Sequence, residues 1–122
     1  MTTPATDAVY PTLPVWQDLR PYLVNGWEQW GSNVCAFKVD RNEMEIQAAL
    51  LIGDSDVVAE GLPPTTGGTR LITALANRGG NSLGVNMRWM GNGQLRINSG
   101  PWTRHLSDGQ YGELSFNWRG PR

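Results

Sequence analysis

His105, Ser107 and Asp108 all lie within TRHLSDGQYG, and together they are the side-chain types of a nucleophile–base–acid relay. Such a relay works only when a rigid scaffold brings its members together from separate elements. Neighbours on one turn meet that condition poorly, so the segment reads as a loop held by Asx-type bonds. Asp54 and Asp56 in GDSD offer hard oxygen ligands, but the loop glycine and closing glutamate of an EF-hand do not follow them. The chain has one histidine and one cysteine, which excludes a His pair, a multi-cysteine zinc site and an intrachain disulfide. Cys35 reads as a small buried apolar residue. The Gly-Gly pairs at 67–68 and 79–80 lack the Lys-Ser/Thr of a phosphate cradle. These residues predict no catalytic centre, no metal and no cofactor, and hence a protein that is not an enzyme.

The elements that would carry any function must fit in 122 residues, enough for a single domain with one core. Charged residues are 17% of the chain and the formal net charge is −1, so no bulk attraction to nucleic acid or an anionic membrane follows. Arg88 and Arg96, in GVNMRWMGNGQLRIN, read as solvated strand-face residues and not as a nucleic-acid patch. No signal-peptide pattern opens the sequence, and no apolar run approaches the ~18 residues that span a bilayer. A soluble, unprocessed chain with no membrane insertion is expected. A lone cysteine fits a reducing cytoplasm, or a domain stabilised by size and assembly.

Residues 1–21 form a compositional unit in which Pro4, Pro11, Pro14 and Pro21 favour an extended path. A merely solvated tail would gain nothing by exposing Tyr10, Leu13, Val15 and Trp16. These four residues predict an arm that lies across a neighbouring subunit or a larger assembly.

From residue 22 to 122 the pattern predicts a β-sandwich domain. Cys35, Phe37 and Val39 alternate with Ala36 and Lys38, and Met44, Ile46, Ala48 and Leu50 alternate with polar or small residues. The linking DRNE suits a tight turn, so 34–39 and 43–52 should form a hairpin. Residues 43–51 also have helical propensity, but their alternation decides for strand. SDVVAEGLPPTTGG supplies a short strand and an irregular loop, and TRLITALANRGG a β-branched run ending in a Gly pair. Val85, Met87 and Trp89 share a face, GNG marks a hairpin, and Leu95 and Ile97 return inward. ELSFNW closes the pattern with Leu114, Phe116 and Trp118 on one face. Seven or eight short strands between turn clusters predict an all-β, jelly-roll-like antiparallel sandwich. Trp27, Phe37, Ile46, Trp89 and Phe116 are its expected core.

LVNGWEQWG, residues 23–31, places Trp27 and Trp30 three apart. In one unbroken strand they would point to opposite faces. One indole is therefore expected in the core and the other near a rim or subunit boundary. A sugar-stacking platform would need both rings on the same side.

This stretch, with the later EGLPP, GNGQLRINSG and GELSFNW, resembles the small β-rich domain of bacteriophage minor tail proteins and tail-fibre C-terminal ends, a module also used in capsid decoration. The match runs through Leu23, Asn25, Gly26, Trp27, Trp30 and Gly31, then Leu62 and Pro63. It continues through Gly93, Leu95 and Ile97 and ends with Leu114, Ser115 and Phe116. The resemblance implies a virion structural protein, a homotrimeric tail or tail-fibre-like module made in the host cytoplasm. The alternative is a trimeric decoration protein held on the head by its arm. Its implied partners are copies of itself, other virion proteins and host-surface carbohydrate. The residues expected to meet carbohydrate are Trp102, Arg104, His105 and Tyr111.

Overall fold

The computed structural model of the protein describes residues 15–78, 81–98 and 112–122. Among the described residues nine strands form in chain order: β1 Gln17–Asp18, β2 Glu28–Gln29, β3 Cys35–Val39, β4 Glu43–Leu51, β5 Val57–Ala59, β6 Arg70–Arg78, β7 Asn81–Trp89, β8 Leu95–Ile97 and β9 Glu113–Pro121. A single 3-10 turn, Arg20–Tyr22, is the one helical element among the described residues. The fold is all-β and antiparallel, as the alternation predicts. The strands make one hydrogen-bonded sheet in the order β1-β3-β4-β9-β6-β7-β8-β5, and β2 continues the β3 edge of β4.

Local chemistry sets each hairpin. Between β3 and β4 the Asp40 carboxylate accepts the N–H groups of Asn42 and Glu43, both at 2.7 Å, which closes the turn. Those two donors hold its pKa below the usual value. The resulting register sets Phe37 against Ile46 and Cys35 against Ala48. Only the two residues 79–80 separate β6 from β7, which pair continuously from Arg70↔Trp89 to Arg78↔Asn81. Between β7 and β8, Gly93 adopts φ 84° and its N–H bonds the Met90 carbonyl. A Cβ there would lie 2.5 Å from the Leu62 carbonyl oxygen, so the turn requires glycine.

The curled sheet closes through residues 17–25. At one end Gln17 and Asp18 pair with Phe37 and Ala36. At the other, Leu23 bridges Ala59, the Val24 N–H bonds the Val58 carbonyl and the Glu60 N–H bonds the Tyr22 carbonyl. Asn25 (φ 58°) and Gly26 (φ 81°) then reverse the chain, with the Trp27 N–H on the Val24 carbonyl at 3.1 Å. Asn-Gly favours such a turn because both central residues take positive φ.

The core lies inside the curl. Phe37 and Trp89 meet edge to face at 6.3 Å, and Tyr22 meets Phe37 at 5.4 Å. Trp27, Ile46 and Phe116 are buried with them. The two indoles bury their N–H groups without penalty because Trp27 donates to the Ser55 carbonyl and Trp89 to the Pro63 carbonyl. Leu19 is fully buried as well. The arm boundary expected at residue 21 therefore falls inside the packed domain, because Gln17–Asp18 join the sheet and Leu19 joins the core.

Candidate functional site

Two features of the surface hold apolar side chains in water. The first is the start of the described chain. Val15 is 67% and Trp16 44% exposed, and the Trp16 ring lies under the Lys38 ammonium at 4.7 Å. Because Gln17 faces Phe37 and Asp18 faces Ala36, the chain enters the domain alongside the Val39 end of β3. Tyr10 and Leu13, the other two expected arm residues, lie outside the described residues.

The second feature is the outer face of β4, β9, β6 and β7. Cross-strand register arranges it in four rows, of which the first two cross from β9 to β6 in register and the other two are interrupted where β6 leaves β9. Glu28, Leu51, Glu113, Asn77 and Ser82 form the first. In the second row Ala49 accepts the Trp30 N–H and donates to Val34, and Ser115, Leu75 and Gly84 continue the line. The third carries Ala36, Gln47 and Asn117 on β3, β4 and β9 and, beyond the break, the Thr73–Asn86 pair of β6 and β7. The fourth holds Lys38, Glu45 and Arg119 on β3, β4 and β9 and, beyond the same break, the Leu71–Arg88 pair of β6 and β7.

Charge and size differ sharply from row to row. The first row has two carboxylates and no cation, while the fourth has three cations and one carboxylate. Between them are an apolar or small row and an amide-bearing row, neither with an ionisable group. Val34 is 51%, Leu71 69% and Leu75 49% exposed, with Leu83 at 53% beside the hairpin end. Arg88 Nε and Asn77 Oδ1 have no hydrogen-bond partner among the described residues.

A groove of about 500 Å³ crosses the middle two rows. It opens because β6 pairs with β9 only over Leu75–Asn77, whereas β9 follows β4 to Pro121. Arg70 holds the diverging ends together by donating to the Pro121 and Arg122 carbonyls at 2.9 and 2.7 Å. Ala49, Ser115 and Gly84 leave the groove shallow-walled because none has a long side chain.

Trp27 and Trp30 separate as their spacing predicts, the first 3% and the second 39% exposed. They do not form one platform. Cys35 is buried, and burial pushes its thiol up to about 11, which keeps it protonated and unreactive at neutral pH. Asp54 and Asp56 gather no metal site; among the described residues no group of three potential ligands converges. Trp102, Arg104, His105 and Tyr111 lie outside the described residues, as do Ser107 and Asp108.

The four rows were not apparent from local motifs, since each draws residues from several distant segments. One signal does point to them. In RLITALAN, Ile72, Ala74 and Ala76 face the core while Leu71 and Leu75 occupy the opposite face, and apolar residues on both faces mark a strand covered on both sides. No family model matches the chain, and neither does any curated protein or solved structure.

Proposed function

We propose that the protein is a non-enzymatic structural component of a bacteriophage virion, a homotrimeric minor tail or tail-fibre-like module. The observation that carries this reading is the apolar surface left in water at the Val15–Trp16 edge and across the outer sheet face. Contact with identical copies or other virion proteins removes such surface from water at ~25 cal/mol per Å². The residue types and spacing of the tail-domain resemblance supply the virion setting. In this reading Tyr10, Leu13, Val15 and Trp16 carry the arm to a neighbouring subunit, and Trp102, Arg104, His105 and Tyr111 meet host-surface carbohydrate.

Gold labelling of tagged protein in purified particles tests the placement. Label on tails is expected; label spread over heads favours the decoration role, for which the same exposed arm stem would serve as the anchor. Particles without label refute the virion reading. A glycan array tests the recognition residues, with binding expected and lost in Trp102→Ala; a uniformly blank array removes that part of the reading.

A further inference from the structure

We infer that the outer sheet face is a two-fold contact between copies of this chain, in which the apolar row of one copy lies against the amide row of the other. The inference rests on reading this face as an assembly surface, and it adds the symmetry and register of the contact.

The order of the rows carries the argument. Along the strands they run acidic, small or apolar, amide and basic. Two copies brought face to face about an axis that crosses the strands between the second and third rows set the acidic row against the basic row and the small or apolar row against the amide row. Each residue of β4 and β9 then faces its own strand in the partner. Glu113 meets Arg119, six residues along β9, and Glu28 of β2 meets Lys38 of β3, on the same edge of β4. Stacked sheets lie ~10 Å apart, a gap that these long side chains span from both sides.

The central rows fit by size. Ala49 and Ser115 leave room opposite Gln47 and Asn117. Other registers fail on charge. An axis along the strands lays the acidic row on itself and the basic row on itself, which is repulsive. A slip of one row, ~7 Å, sets Lys38 and Arg119 against Val34 and Ser115, so neither cation finds a carboxylate. Packed sheets cross at ~30°, which displaces peripheral strands most, and β9 sits fourth of the eight strands in the sheet order. The Glu113–Arg119 pair is therefore the one least disturbed by twist.

Arg119 lies 3.2 Å from Glu43 and Lys38 3.6 Å from Glu45 within the chain. These pairs do not preclude the contact, because a guanidinium has five donors and an ammonium three.

Light scattering and sedimentation of the full chain test the proposal with Arg119→Glu, Glu113→Arg and the double variant. The wild type is expected as an even multiple of the chain. Each single reversal should halve that mass and raise the dissociation constant at least tenfold. The double variant should restore it, because each copy then offers the swapped pair to the other. Should a reversal fail to fold by circular dichroism, Ser115→Arg, at an exposed central position, should halve the mass in its place.

A hexamer that falls to a trimer supports both this contact and the trimeric reading. A dimer that falls to a monomer supports the contact and refutes the trimer. A wild-type trimer or monomer overturns the contact, as does an oligomer whose mass no reversal changes or a double variant that stays dissociated. Hydrogen exchange showing the face open in the isolated oligomer and covered only in particles also overturns it, and assigns the face to another virion protein.

Discussion

Replacing Trp27 with Ala should remove more stability than any change to its neighbour Trp30. The Trp27 indole is 3% exposed and donates to the Ser55 carbonyl at 2.9 Å. Its ring also packs so closely on Gly53 that a Cβ there would fall 2.5 Å from Trp27 Cδ1. Truncating a buried tryptophan costs about 3–5 kcal/mol. Within that total, the lost hydrogen bond and the unpaired Ser55 carbonyl account for about 1 kcal/mol, so Trp27→Phe should lose about 1–2 kcal/mol. Trp30 is 39% exposed, and Trp30→Ala should cost about 1 kcal/mol or less. Urea denaturation at one fixed protein concentration reads these differences without a shift in oligomer population. At roughly 4 °C per kcal/mol for a domain of this size, Trp27→Ala should melt about 12–20 °C below wild type. Equal losses at both tryptophans, or an unchanged midpoint for Trp27→Ala, would refute the division of the pair into core and surface.

Deleting residues 1–14 should leave the domain folded, whereas deleting 1–20 should lower its stability by about 2–5 kcal/mol, because it removes Leu19 from the core and β1 from the sheet; equal denaturation midpoints for the two truncations would contradict the pairing. Gly93→Ala should cost about 1–3 kcal/mol by forcing a strained φ against the Leu62 carbonyl, and a neutral outcome in thermal melting would show that the turn relaxes freely. The buried Cys35 thiol has its pKa raised from 9.0 to about 11; the folded state then holds a proton that the unfolded chain releases, so this residue's stabilisation is complete below pH 9 and lost as pH rises through 11. Cys35→Ala should flatten the stability profile in that window, and identical slopes would contradict it. Asp40 has the opposite sign: its pKa is lowered by the Glu43 and Asn42 N–H groups, so Asp40→Asn should remove a stability loss that sets in as pH falls into the acid range, read by acid denaturation.

Strand positions were legible where one face is buried and the neighbouring turn carries its own chemistry. Residues 43–51 could be helix on propensity, yet Met44, Ile46, Ala48 and Leu50 alternate and Asp40 closes the turn before them. The GNG turn and the Val85, Met87 and Trp89 face were readable for the same reason. Which strands lie side by side was not. β9 inserts between β4 and β6, and partners such as Asn117 and Gln47 meet across most of the domain with no local residue pattern to announce it. Leu19 was hidden for a related reason. Its prolines and polar neighbours look like those of the arm, and only the Leu19 N–H on the Cys35 carbonyl and its burial assign it to the domain. The four surface rows exist only once these pairings are set.

The native mass of the full chain at micromolar concentration tests most directly whether identical copies join through surfaces that a lone domain leaves wet. The expected result is an oligomer of the 13.5 kDa chain that loses copies when Arg119 is reversed. A monomer that persists at high concentration and carries the same exposed Leu71, Leu75 and Trp16 would contradict it.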